Sequence, residues 1–155
     1  MIELISAEDP VLIEDARSVF CEYAKWLGLD LCFQNFEEEM LSLPGKYAPP
    51  DGRLILAYKD GELAGGIALR KIEEGICEMK RLYLRESARG SGIGQLLAER
   101  IIEEARLIGY KKMRLDTFPP KMGKAVKLYE SHGFYKIPPY YENPYDGVLY
   151  MEKVL

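Results

Sequence analysis

Apolar positions in the first part of the chain recur at three- and four-residue intervals. Val11, Ala16, Val19, Phe20, Tyr23, Ala24 and Leu27 share one helical stripe. Asp9-Pro10 supplies an N-cap and a proline at the first helical position, and Gly28 supplies a stop. The spacing therefore predicts a helix over 10–27. A short apolar run at 2–5 precedes it and reads as an edge strand. A second, acidic helix is predicted over 33–43, ended by Pro44-Gly45, and Pro49-Pro50-Asp51-Gly52 marks a loop over 46–53.

The period then changes. Residues 54–58, 63–69 and 76–84 are three strand signals, separated by Lys59-Asp60-Gly61 and Glu73-Glu74-Gly75. Asp-Gly and Glu-Gly between apolar runs are hairpin turns, so the middle of the chain is an antiparallel meander. Ile93, Leu96, Leu97, Ile101, Ala105 and Ile108 return to helical spacing, with Gly109 at the end. A strand over 113–118, a helix over 125–131 and a strand over 134–137 follow. A tyrosine-rich loop at 138–146 and a last strand over 148–154 complete the chain. The predicted order is β-α-α-β-β-β-α-β-α-β-β. A helix between two strands demands a crossover, so the sheet is mixed, with at least one parallel pair.

The chain has 155 residues, 48% hydrophobic and 30% charged, which fits one globular domain over 1–155. A formal charge of −4 argues against a sequence-independent nucleic-acid binder. No apolar run approaches the roughly 20 residues that span a bilayer. The N-terminus carries Glu3, Glu8 and Asp9 where a secretory signal would be basic and then apolar. The expectation is a cytoplasmic protein that engages neither nucleic acid nor membrane. Cys21, Cys32 and Cys77 form no CxxC and read as reduced thiols. With His132 as the only histidine, HExxH zinc sites and two-histidine iron sites are excluded. A Ser-His-Asp triad is left with one candidate and no GxSxG, and no metal is expected.

Arg89-Gly90-Ser91-Gly92-Ile93-Gly94 follows a strand and opens a long helix. The first turn of a helix has backbone N–H groups with no intrahelical partner, and the helix dipole adds positive charge there. Glycines remove the side chains that would hold a phosphate off those amides, and Arg89 adds a charged donor. The result is a pyrophosphate cradle. Walker A fails because Gln95 stands where lysine is needed. The dinucleotide fingerprint fits poorly, since its third glycine comes one residue early and the preceding strand belongs to a hairpin.

Arg-x-x-Gly-x-Gly after an antiparallel strand resembles the acyl-CoA pyrophosphate loop of the GNAT N-acetyltransferase superfamily. Met79-Lys80-Arg81-Leu82-Tyr83-Leu84 is similar to that family's splayed fourth strand. Leu128-Tyr129-Glu130-Ser131-His132-Gly133-Phe134 resembles its LYxxxGF helix ending. The resemblance covers nearly the whole chain and is strongest over 76–137. It implies an α/β (α+β) acyl-CoA N-acyltransferase fold, a mixed central sheet of about seven strands with helices on both faces. It also implies acetyl-CoA as co-substrate, lying in a gap between the fourth and fifth strands.

By that resemblance the pantetheine arm bonds to the backbone of Leu82, Tyr83 and Leu84, with the amide at Leu84 polarising the thioester carbonyl. Arg89, Gly90, Ser91, Gly92, Ile93 and Gly94 hold the pyrophosphate. Tyr129 matches the tyrosine beside the CoA sulfur and would protonate the leaving thiolate. Glu78, six residues before Leu84 and on the same face of an ideal strand, matches the base of the family's histone-modifying members. It could equally be a glutamate paired with Lys80, Arg81 or Arg114. His132, ahead of the helix-stopping Gly133, reads as structural. The segment 117–124 lacks the asparagine that many members use on the CoA arm, and backbone groups or Lys124 would take over that contact.

The acceptor should meet segments that flank the gap. The acidic helix, with Glu38, and the loop bearing Tyr140 and Tyr141 are the candidates. Tyrosines and a carboxylate can hold an ammonium by cation–π and charge contacts. The loop could also seal a homodimer interface or pack on the sheet. A rigid, proline-bounded loop favours a small amine or amino-acid-like acceptor over a peptide. An acyl-CoA-binding module without turnover is the competing class.

Overall fold

A computed structural model describes residues 1–29 and 35–155. Cys32 and the first two residues of the expected second helix, Phe33 and Gln34, lie outside that range. The chain forms β1 (Ile2–Ser6), α1 (Pro10–Leu27), α2 (Phe36–Ser42), β2 (Arg53–Lys59), β3 (Glu62–Glu73) and β4 (Ile76–Leu84). It continues through α3 (Ile93–Ile108), β5 (Lys112–Thr117), α4 (Pro119–Ser131), β6 (Tyr135–Ile137) and β7 (Leu149–Val154). The expected element order holds throughout. Asp9 caps α1 through its side chain, which accepts from the Leu12 amide at 2.9 Å, and Gly28 ends it in the left-handed conformation.

One deviation concerns α4, which starts at Pro119 rather than 125. Proline suits the first helical turn, where its missing N–H costs nothing. The helical path breaks at Met122, so the apolar spacing becomes regular only beyond it.

The seven strands order as β1-β2-β3-β4-β5-β7-β6, with β1 at an edge as expected. Only β4 and β5 run parallel. Their pairing is short: Ile76↔Lys112, Cys77↔Met113 and Glu78↔Arg114, after which the ladder stops although both strands continue. α3 covers one face, where Ile93, Leu97 and Ile101 pack on Ile67, Leu69, Cys77 and Met113. α1 and α2 cover the other, where Val19, Phe20 and Met40 pack on Leu54, Leu56 and Ala68. Among the described residues no helix is long and apolar enough to cross a membrane.

The strands part because β4 is bulged. Its register against β3 skips between Ala68↔Lys80 and Gly66↔Tyr83, and Arg81 adopts a φ of 63°. An extra residue bends a strand and flips its alternation. Cys77 and Met79 therefore face α3 before the bulge, and Leu82 and Leu84 face it after. This corrects the ideal-strand expectation: Glu78 and Leu84 lie on opposite faces.

A left-handed, buried arginine needs strong support. The Arg81 guanidinium meets both Glu39 oxygens from α2, Nε at 3.0 Å and Nη2 at 3.1 Å, and lies over the rings of Tyr23 and Phe36. Burial alone would raise the Glu39 pKa, but Arg81, then Lys46, outweigh it and lower it from 4.5 to about 2. A carboxyl depressed on folding contributes stability fully above the unfolded value and loses it as pH falls toward the folded one. Glu39→Gln takes the bidentate carboxylate away from a buried guanidinium and is expected to cost about 3–5 kcal/mol at pH 7. The penalty should shrink between pH 4.5 and 2. Urea unfolding across that pH range checks both.

Candidate active site

Where the ladder stops, a cleft opens through the sheet. Met79, Lys80, Arg81 and Leu82 wall it from β4, and Leu115, Asp116 and Thr117 from β5. Tyr23 and Leu27 of α1, Phe118 just before α4 and Met122 within it close one end, with Tyr129 on the α4 side. This is the split between fourth and fifth strands that the family resemblance implied.

The glycine loop lies at the end of β4. Gly90 and Gly92 have φ of 81° and 84°, values that favour glycine, and a Cβ built on either meets only open space. Gly92 is the N-cap of α3, and among the described residues no side chain caps that helix. The first intrahelical bond runs from the Leu96 amide to the Gly92 carbonyl. The amides of Ile93, Gly94 and Gln95 thus precede any intrahelical acceptor. The unfilled cradle and uncapped helix start fit a bound pyrophosphate. Ser91 instead turns both its amide and its hydroxyl to the Ala88 carbonyl. The Ile93 side chain is fully buried in the core.

Arg89 folds back over the cleft mouth. Its guanidinium sits 5.2 Å above the Trp26 ring and 5.6 Å from Tyr83, and Nε donates to the Leu84 carbonyl at 3.2 Å. Lys121 lies 5.4 Å from the Trp26 ring, so two cations flank that indole. Lys124 is exposed on α4. Of Leu82, Tyr83 and Leu84, only Leu82 lines the cleft. Tyr83 stacks against Tyr23 and Trp26 on the α1 face, and Leu84 lies against the start of α3.

Tyr129 is buried, with its ring edge-on to Phe134 at 5.8 Å. Burial above all, then the charge of Asp116 and the neighbouring Tyr23, hold its hydroxyl pKa far above the usual range. The hydroxyl therefore stays protonated near neutral pH. Glu78 is 1% exposed and bound on three sides. Arg70 Nε lies at 2.8 Å, Lys80 Nζ at 3.8 Å, and the Tyr140 hydroxyl donates at 2.6 Å. Burial would raise its pKa, but Lys80, Arg70 and Tyr140 bring it below the ordinary value. Lys80 is pushed down to about 8, mainly by burial and then by Arg81.

The tyrosine loop packs on the sheet. Tyr140, Tyr141 and Tyr150 form an edge-to-face triangle with centroids 5.4 Å apart. The cation over Tyr140 is Arg114 from β5, at 5.4 Å. The Tyr141 hydroxyl donates to Asp116. On α2 it is Glu39 that turns inward, whereas Glu38 is exposed. His132 lies beyond α4, and its carbonyl accepts from Lys153.

Sequence reading did not single out Glu39 or Asp116, and it named Lys80 only as a possible partner of Glu78. Signals for all three existed. Glu39 shares a helical face with Phe36 and Leu43, Lys80-Arg81 interrupts an apolar strand, and Asp116 alternates with buried Leu115 and Thr117. Among the described residues no cluster of three or more His, Cys, Asp or Glu side chains could hold a metal.

Residues 13–134 match the family model described as Acetyltransferase (GNAT) family. The chain belongs to the GNAT acetyltransferases. It is 38% identical over 152 residues to an uncharacterized N-acetyltransferase of Schizosaccharomyces pombe, covering 97% of this chain and 93% of that one. A GNAT-family acetyltransferase structure from Staphylococcus aureus shares the fold with a TM-score of 0.81 at 17% identity, over 99% of both chains. A Bacillus subtilis acetyltransferase solved in complex with CoA superposes with a TM-score of 0.70 at 17% identity, covering 100% of this chain and 99% of that one.

In this GNAT chain the Gly92 position is a clean probe of the cradle. Gly92→Val forces a branched residue into left-handed backbone and adds bulk at the start of α3. The fold should lose about 1–2 kcal/mol. The rise in melting temperature on adding acetyl-CoA should fall much further, as differential scanning fluorimetry would show.

Proposed function

We propose that this protein transfers an acetyl group from acetyl-CoA to the primary amine of a small or amino-acid-like acceptor, by direct attack. The observation that carries the reading is the pairing of an open, uncapped helix start with a sheet split beginning one bulge before it. The glycine-loop amides and Arg89 hold the pyrophosphate. The β4 backbone beyond Glu78, released from β5, offers hydrogen bonds to the pantetheine arm and polarises the thioester carbonyl. Bound acetyl-CoA supplies an activated acyl carbon.

The acceptor arrives mainly as an ammonium and loses a proton before attack. The amine nitrogen then bonds to the acyl carbon as the carbon–sulfur bond breaks, and Tyr129 gives its hydroxyl proton to the departing sulfur. Solvent reprotonates Tyr129. The amine proton leaves toward the acceptor side of the cleft, to Glu78 or to solvent. The Tyr129 hydroxyl stays protonated over the working pH range because burial raises its pKa. Tyr129→Phe is expected to lower kcat by roughly 10²-fold, the usual scale for one proton-transfer group, with the KM for acetyl-CoA nearly unchanged. A thiol-release assay against an amine panel measures both, and an unchanged kcat would remove Tyr129 from the chemistry.

Glu78 stays ionised but is weakly basic, since Lys80 and Arg70 hold its pKa down. Its three contacts favour an anchoring role for Tyr140 and Lys80 over direct proton abstraction. Glu78→Gln should then raise the acceptor KM more than it lowers kcat. A fall in kcat of roughly 10²-fold or more at constant KM would return Glu78 to the role of base. CoA binding without thiol release under any amine would mark a binding module instead.

A further inference from the structure

The cleft face turned toward α1, α2 and the tyrosine loop carries charge that acetyl-CoA binding does not use. The last paired residues of the parallel ladder are Glu78 and Arg114. Two residues further along each strand, on the same face, stand Lys80 and Asp116. Had the ladder continued, they would be neighbours. The split leaves a cation and an anion opposite each other across the gap, and both line it.

Asp116 accepts from the neutral Tyr141 hydroxyl, and among the described residues no cation pairs with it. Its charge is felt at Lys80 across the gap and at Tyr129, on the side where the acyl group arrives. Lys80 is 9% exposed and shares Glu78 with Arg70, and Arg81 adds a second positive charge beside it. A buried ammonium next to a guanidinium gains from an incoming anion. Asn143 and Tyr145 line the same space with polar groups.

We propose that this face binds an acceptor of the α-amino acid class. Asp116 takes the ammonium, and Lys80 takes the carboxylate. This deepens the N-acetyltransferase reading and rests on it. The ammonium lies at the Asp116 end, so the nitrogen to be acetylated points to the side of the cleft that Tyr129 occupies. Simple alkylamines, which bring no carboxylate to Lys80, should be poorer acceptors.

Two measurements separate this proposal from the reading beneath it. Thermal shift of the CoA-saturated protein reads acceptor binding without turnover, and thiol release from acetyl-CoA reads catalysis. The probes are L-alanine, L-alaninamide and ethylamine, followed by the same triplet built on other L-amino acids. An acid is expected to exceed its amide in kcat/KM by at least roughly tenfold, the scale of one charge-assisted contact. Lys80→Gln should collapse that ratio and Lys80→Arg should restore much of it. Asp116→Asn should raise the KM of every amine.

Equal use of acid, amide and simple amine would overturn the assignment while leaving acetyl transfer intact. So would a ratio that survives Lys80→Gln. An amino acid that stabilises the CoA complex without releasing thiol would uphold the pocket and overturn catalysis. If no acid-bearing amine stabilises the CoA complex or turns over, the assignment fails.

Discussion

The architecture depends on a hydrogen-bond ladder that ends early. β4 and β5 pair for three residues and then separate, although each has more strand to offer. Unpaired strand edges inside a sheet are costly unless something else meets their amides and carbonyls. A thiol-ended arm laid into the gap as a surrogate strand would meet them. The bulge at Arg81 starts the separation, and the bidentate pair with Glu39 holds an otherwise unfavourable backbone in place. Gly65 helps on the other side of the bulge, where an added Cβ would sit 2.4 Å from the Tyr83 carbonyl oxygen.

The same ion pair links the two halves of the site. Glu39 comes from α2, and Arg81 lies in the strand that walls the cleft. A shift of α2 would therefore be felt in the bulge. The charged residues on this face share partners: Glu78 serves Arg70, Lys80 and Tyr140, and Glu39 serves Arg81 and Lys46. Shared partners hold several side chains with few groups, and they also shift the proton affinity of each member. The shared cations hold Glu39 and Glu78 low, whereas Lys80 is depressed mainly by its burial.

The tyrosine loop shows how one composition supports two roles. Its rings satisfy one another, its hydroxyls satisfy Glu78 and Asp116, and its cation is the protein's own Arg114. Cation–π capacity visible in the residues is thus largely spent inside the fold. The carboxylate that the loop orients is Asp116, the anchor proposed above for an ammonium.

Periodicity determined the element order, both α1 caps, the two hairpin turns and the placement of the glycine loop at a helix start. These are local properties, written in spacing, in turn chemistry and in where glycine can go. The resemblance of residues 76–137 to one family added the expectation of a split, and the family match bears out the membership. What no local pattern contains is the bulge. It depends on Arg81 finding Glu39 42 residues away, and it reverses which side chains share a face beyond it. For that reason the sequence placed Glu78 beside Leu84 and chose Glu38 over Glu39. Only the tertiary structure brought Lys80 and Asp116 to opposite walls of one opening, because they face each other only once two strands have met and then parted.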